Sequence, residues 1–200
     1  MERCTPFRFV AETLELRGRL GGSAPVGVAP VFRDNETGYF ATLPISDSLD
    51  VSIFMSTSDA GSNRSIGKLA HQIHDRGCKF IEAVVHQPAP RSKKSRYWEL
   101  VSPVSLRPLP STPDVDPNWA GCPYMDHKMG GQPGLIPGSQ RWDEPLQQLF
   151  GDGFGLLVQV AFPGSEDIMI EESWPFGEMS FYMFHRDRGG EHTFKFLWTR

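Results

Sequence analysis

A chain of 200 residues with 39% hydrophobic content can bury a core, in one domain or in two small halves, which excludes a disordered chain. Its net charge of -4 and its lack of long basic runs argue against direct nucleic-acid binding. No window of about eighteen apolar residues offers a membrane span. Charges throughout residues 1–20 leave no apolar core for a secretory signal, and three widely spaced cysteines fit thiols in a reducing compartment. We therefore expect a cytoplasmic protein.

In chain order, most segments predict short strands, because β-branched and aromatic residues alternate between clusters of Gly, Pro, Asp and Ser. The predicted strands are 7–17, 38–45, 50–57, 79–86, 96–106, 154–162, 167–172, 179–185 and 193–198. Helical spacing of apolar residues predicts an amphipathic helix over 65–77. A two-turn helix is expected over 143–150, with Leu146, Leu149 and Phe150 on one face. The pattern indicates a strand-rich α+β fold with few short helices.

Five prolines between residues 102 and 117 argue against helix and central strand there, so we expect a Pro-rich linker. This linker divides residues 1–117, a β-rich half with one amphipathic helix, from residues 118–200. Each half opens on a similar run, "RLGGSAP" at 19–25 and "KMGGQP" at 128–133. The echo predicts two related β-sheet halves, which either form separate domains or pack as one compact domain.

The run "HKMGGQPG" at 127–134 does not have the pattern of a phosphate-binding loop. A P-loop needs its lysine after the glycines and several consecutive N–H donors. Here Lys128 precedes them and Pro133 lacks a donor. We interpret the run as a tight entry turn, in which Gly130 and Gly131 supply backbone angles that other residues resist.

Histidines and cysteines give two weak constellations. His71, His74 and Cys78 supply three metal ligands, but no second cluster completes the set, so ordinary surface histidines are the better interpretation. Cys122 and His127 resemble a thiolate–imidazole pair, yet sequence neighbours seldom meet with catalytic geometry. We expect no metal, no cofactor and no enzyme. The alternative is a small-ligand-binding protein or an enzyme that uses His71, His127 and Cys122.

Negative charge is concentrated in residues 142–185, which contain eight acidic residues and no Lys or Arg. A solvated surface is the common meaning of such a segment. The functional interpretation is a docking surface for a basic protein, because complementary fields raise association rates. Nearby Trp174, Phe176, Met179 and Tyr182 are candidate aromatic anchors. The predicted partner-binding residues are Glu166, Asp167, Glu171, Glu172, Trp174 and Glu178.

Residues 124–200 resemble the YwqG family, a domain of unknown function. The resemblance lies in the order of four elements. First comes a His-Lys-apolar-Gly-x-Pro opening, then an apolar strand with an internal glutamine, then an acidic stretch with a tryptophan, and last an aromatic strand. The residues that carry the first two elements are His127, Lys128, Gly130, Gly131, Pro133 and Gln159, for which we expect a structural role. The third and fourth are "EESWPFGEM" and "SFYMF". The family is duplicated and β-rich and supplies no accepted catalytic set.

Some proteins similar to the YwqG family are immunity proteins that neutralise nuclease toxins delivered by type VI secretion. The resemblance therefore implies a cytoplasmic, non-enzymatic protein that inhibits a cognate toxin by protein–protein interaction. A nuclease has a cationic groove for the DNA backbone, which an acidic protein surface can occupy. A housekeeping interaction module with a different basic partner has the same sequence features.

Overall fold

The computed structural model describes residues 3–31, 37–56, 74–75, 81–94, 97–113, 127–134, 143–161, 174–176 and 179–199. In these ranges the chain is strand-rich, with thirteen strands and one helix. The strands are β1 Arg3–Ala11, β2 Arg19–Leu20, β3 Thr37–Pro44, β4 Asp50–Ser56, β5 His74–Asp75, β6 Ile81–His86, β7 Trp98–Glu99, β8 Val104–Pro108, β9 Thr112–Pro113, β10 Lys128–Met129, β11 Gly155–Val160, β12 Ser180–Arg188 and β13 Glu191–Thr199. The helix, α1, is Asp143–Gly151.

The strands form one sheet in the order β5-β13-β12-β11-β10-β1-β8-β2-β3-β4-β6, with β7 beside β3 and β9 beside β1. Strand β1 lies in the middle of this order and connects the two parts of the sheet. Residues 5–6 of β1 pair with β10, whereas residues 7–11 pair with β8. Strand β1 therefore holds together a strand within the proline-rich stretch and a strand that follows it.

This sheet folds back on itself. Phe40 on β3 and Phe181 on β12 are six steps apart in the sheet order. In a flat sheet, six spacings of about 4.8 Å would separate them by roughly 29 Å. Their ring centroids are instead 5.2 Å apart. The inner faces of both parts of the sheet thus share one core, which also contains Ile53, Phe196 and Trp198.

The outer faces are covered differently. On the β11–β13 side, α1 packs Leu146 and Leu149 against Phe184 and Leu197. On the β3–β4 side, residues 24–28 pack over Tyr39 and Phe54. One outer face therefore has a helix over an apolar cluster, and the other has irregular backbone over a smaller cluster.

Helix α1 confirms the prediction over 143–150, including its buried face. Its last turn contains no basic residue of its own. Instead, Arg186 and Arg188 of β12 each donate to the carbonyl of Asp152, just beyond the helix. Cations at this end satisfy carbonyl acceptors and oppose the negative end of the helix dipole.

Seven of the predicted strands correspond to β1, β3, β4, β6, β11, β12 and β13, with shifted ends. The segment 96–106 is not one strand, because it is divided between β7, parallel to β3, and β8, between β1 and β2. Part of the stretch predicted as a linker is therefore central strand. Pro103 precedes β8 and Pro108 ends it, positions where a missing N–H costs the ladder little.

The predicted helix over 65–77 does not hold at His74–Asp75, which form β5 and pair with Lys195 and Phe196 of β13. The rest of that segment, and the strand predicted over 167–172, lie outside the described residues. No helix in the described ranges is long and apolar enough to cross a membrane.

Candidate functional site

Five of the eight acids of residues 142–185 lie in the connection between the neighbouring strands β11 and β12, which we call the acidic segment from here on. Val160, at the end of β11, pairs with Phe181 near the start of β12. The described residues nearest to the acidic stretch are buried, namely Ala161 before it and Trp174 and Phe176 within it. Glu166, Asp167, Glu171, Glu172 and Glu178 themselves lie outside the described residues. The connection thus begins and ends on two adjacent strands of one sheet.

Trp174 is in the core and not on the surface. Its side chain is only 7% exposed, its ring lies 5.9 Å from that of Phe40, and its indole N–H donates to the carbonyl of Met179 at 2.8 Å. Phe176 and Tyr182 are buried as well. These three side chains are therefore not exposed anchors, because Trp174 and Phe176 belong to the shared core and Tyr182 belongs to the cluster under α1.

The residues of the opening at 127–133 lie at the junction between β1 and β11. Lys128 of β10 pairs with Pro6 on one side and Gln159 on the other. Gly130 and Gly131 follow with φ of 72° and 73°, left-handed values that favour glycine. His127 is buried between Phe7 and Phe9, with ring centroids at 5.6 Å and 4.4 Å.

This turn is fixed by buried polar groups. The amide oxygen of Gln159 accepts the N–H of Gly134 at 2.8 Å, and the hydroxyl of Tyr182 donates to the carbonyl of Gly134 at 2.9 Å. Burial raises the pKa of Tyr182 above its ordinary range, so the hydroxyl stays protonated and remains a donor. Pro133 is buried beside this network. The arrangement agrees with a structural role for the opening.

A polar row that the sequence analysis did not identify crosses the outer face of the part of the sheet that contains β2 to β4. Register aligns Ser105, Arg19, Thr42 and Ser52 on four adjacent strands, and all four are buried. The hydroxyl of Thr42 lies 2.8 Å from that of Ser52, which lies 2.8 Å from Nε2 of His86. Tyr39 joins the row through its hydroxyl, 2.6 Å from that of Thr42.

A second arginine, Arg91, interacts electrostatically with Arg19, which belongs to this row. Arg91 pairs with the carboxylate of Glu12 and donates to the carbonyl of Thr13 at 2.9 Å. Burial lowers the pKa of Arg91, Glu12 opposes that effect, and the charge of Arg19 lowers it further. Burial also raises the pKa of Tyr39, while Arg19 and Arg91 pull it down. Arg19, Arg91 and Tyr39 therefore interact electrostatically in a compartment that we call the arginine compartment.

Arg19 itself is 5% exposed, and its Nε and Nη2 atoms are buried without a hydrogen-bond acceptor. "RLGGSAP" drew attention through its glycines, and nothing in a single sequence shows that its arginine is covered. Lys128, the basic residue before the second pair of glycines, is buried as well.

The remaining candidates add little. Residues 24–29 with Ser92, Lys94 and Tyr97 line a cavity of about 270 Å³. No group of three or more His, Cys, Asp or Glu residues in the described ranges has the arrangement of a metal site. His71 and Cys122 lie outside the described residues, and the described His127 is enclosed by two phenylalanines.

Comparisons of this chain with protein-family models, with curated proteins and with solved structures gave no match.

Proposed function

We propose that this chain is a non-enzymatic immunity protein, which binds and neutralises a cognate toxin nuclease through the acidic segment between β11 and β12. The observation that carries the proposal is the charge between β11 and β12, where five of the eight acids of residues 142–185 lie without Lys or Arg, together with the buried positions that anchor this connection. A fixed cluster of like charge suits recognition of a basic protein, because it steers the encounter and selects the partner.

The anchoring supports a defined surface. Around Trp174 and Phe176, ring contacts at 5.0 to 5.9 Å connect the segment to Phe40, Phe181 and Trp198. Such contacts fix the backbone on both sides of Pro175, so less ordering entropy remains to be lost when a partner binds. Trp174 acts in this proposal as an internal support for Glu171, Glu172 and Glu178, and these acids provide the contact.

The proposal also includes two structurally related halves, as in the YwqG family. Each half has a two-residue strand with a buried basic residue, followed by two glycines of positive φ. The backbone hydrogen bonds match as well. Gly18 and His127, which precede the basic residues, accept from Leu106 and Phe7, and the first glycines, Gly21 and Gly130, donate to Phe40 and Leu157. Equivalent bonds at equivalent positions favour a duplicated unit.

The first test is affinity capture of the tagged chain from its native host at low and high salt, with identification by mass spectrometry. We expect one stoichiometric partner with a basic nuclease domain, and an association rate that falls as salt rises. If no protein is captured at either salt, the immunity proposal fails. A housekeeping module would instead capture a basic partner that is not a toxin.

Charge reversal then locates the surface. The double variant Glu171→Lys, Glu172→Lys should weaken capture and abolish protection of cells that express the toxin. The matched control is Glu15→Lys, Glu99→Lys, which reverses two exposed acids far from the segment in sequence. Equal loss in both doubles would indicate a net-charge effect, and full binding by the first double would place the interface elsewhere. Separate replacement of His71, His127 and Cys122 tests the small-ligand alternative, which predicts loss of function without loss of charge.

A further inference from the structure

The arginine compartment has the donors of an oxyanion site. Arg19 leaves Nε and Nη2 without an acceptor. In a guanidinium these two nitrogens form one edge, from which two parallel N–H groups point in the same direction. This edge matches the two oxygens of a carboxylate or a phosphate, and Arg is used for such bidentate contacts. Arg17 and Arg186, by contrast, each leave only Nε.

In the described ranges, no ion pair balances the charge of Arg19 either. The two buried carboxylates in the described ranges have other partners, because Asp50 pairs with Arg17 at 2.6 Å and Glu82 accepts the N–H of Val31 at 2.9 Å. Glu12 pairs with Arg91. A buried cation without a counter-charge is costly. A buried water can accept the N–H groups of Arg19 but cannot balance its charge, whereas an anion does both.

The cover over the compartment limits the size of the ligand. Residues 24–26 pair with residues 90–92 through an isolated bridge between Pro25 and Arg91 and hydrogen bonds at 2.8 Å and 3.0 Å. Arg91 comes from this ribbon, and its guanidinium is largely buried beside Glu12. A group enclosed by this ribbon and the sheet is a small molecule or the small end of one, and not a protein surface.

We infer that the arginine compartment binds a small oxyanion, a carboxylate or phosphate group, through the Nε–Nη2 edge of Arg19, with Arg91 adding positive potential. The inference does not rest on the proposed immunity function. Partner capture through the acidic segment is expected to be the same for a chain that has lost the oxyanion site.

Inorganic phosphate and acetate are the probes, titrated into the full chain at constant ionic strength with chloride as the balancing anion. We expect one of them to raise the melting temperature in a saturable way with a Kd of about 1 mM or below. The same anion should shift the Nε–H signal of Arg19 in the nitrogen-15 spectrum of the wild-type chain. Response to phosphate alone or to acetate alone identifies the class of ligand.

Arg19→Lys keeps the charge and removes the fork, so binding should weaken roughly tenfold or more. Arg107→Lys, at an exposed position of β8, is the matched control and should bind as the wild type does. The inference is overturned if neither anion moves the Arg19 signal of the wild type, or if Arg19→Lys responds as the wild type does. The Nε–H signal of Arg19 is measured in the wild-type chain. That measurement therefore still decides the question if Arg19→Lys does not fold.

Discussion

The turns after β2 and β10 have nearly the same backbone but different surroundings. In the first, a Cβ added to Gly21 would lie 1.9 Å from the carbonyl oxygen of Val101. In the second, the nearest atom to such a Cβ on Gly130 is the carbonyl oxygen of Arg3, at 3.6 Å. Both glycines have positive φ. The pattern in the sequence therefore fixes the turn itself, and the tertiary contacts decide how much substitution each turn tolerates.

The basic residues before the two turns differ as well. Arg19 lies in a row with the hydroxyl side chains of Ser105, Thr42 and Ser52, one residue from each of four strands. A second arginine, Arg91, interacts with it. Lys128 lies opposite the buried amide of Gln159, in the part of the sheet whose outer face is covered by α1. Two similar turns thus lie at different outer faces, one polar and one mainly apolar. The inner faces remain joined in a common core.

The largest effect is expected at that common core. Phe40 contacts Trp174, Phe176 and Phe181 at centroid distances of 5.2 to 5.9 Å. Phe40→Ala should lower the free energy of unfolding by about 4 kcal/mol through lost burial and a cavity. Urea unfolding followed by fluorescence and by circular dichroism should give one coincident transition, since both parts of the sheet share the core.

Phe150→Ala is the control for Phe40→Ala, since Phe150 is only partly buried, at the edge of the cluster under α1. It should cost clearly less. If the fluorescence and circular dichroism curves of Phe40→Ala show two separate transitions, the two parts of the sheet unfold independently. They would then be two domains and not one folding unit.

The glycine pair gives the next largest effect. Gly21→Ala adds a backbone clash to the strain of a positive φ, so we expect a loss of about 3 kcal/mol. Gly130→Ala adds the strain alone and should cost about 1 kcal/mol. Chemical denaturation of both variants measures the difference directly. Equal losses would show that backbone angle, and not contact with Val101, sets the cost at Gly21.

Local patterns predicted the strands of this fold better than its pairings. Alternating apolar residues around Phe40, Ile53 and Phe196 identified β3, β4 and β13, because such a pattern depends on immediate neighbours. The double pairing of β1 depends on residues about one hundred positions away or more, at β8 and β10. Nothing in the sequence of β1 specifies these partners.

The site was harder to predict for a different reason. Charge and aromatic content suggested exposure for Trp174 and gave no reason to expect burial of Arg19, yet both are covered. Burial is set by which segments pack over a strand, and residues 24–28 and 90–92 do this through contacts distant in sequence. The opening at 127–133 was predicted correctly as a turn, because Gly130 and Gly131 adopt the positive φ angles that favour glycine, and this depends only on the local backbone.

A smaller effect is expected from the network that holds only the second turn. Tyr182→Phe removes the donor to the carbonyl of Gly134 and should cost about 1 kcal/mol. The N–H of Gly134 still donates to Gln159 in this variant, but the turn has lost the bond to its carbonyl. Hydrogen exchange should therefore become faster at the amide of Gly134 and remain unchanged at the amide of Gly21 in the first turn. Faster exchange at both amides would mean that the two turns are coupled through the sheet.

The smallest effect is a pH dependence confined to the second half. His185 stacks on Phe194, and its Nε2 lies 3.0 Å from Nδ1 of His192. Burial first and then His192 lower the pKa of His185 from its ordinary value of 6.5, while Asp187 opposes the shift. Below pH 6.5 the unfolded chain takes up a proton at His185 more readily than the folded chain does. The free energy of unfolding should therefore fall as the pH drops from 6.5 towards the lower pKa of the folded state.

His185→Gln tests this dependence. The variant loses the stack on Phe194, which lowers stability by the same amount at every pH, and it loses the titrating group, which should flatten the curve below pH 6.5. Denaturation of both proteins at several pH values gives the two slopes, and a proton NMR titration of His185 gives its folded pKa. A midpoint at or above 6.5 would contradict the prediction, because a raised pKa would make the folded state more stable as the pH falls.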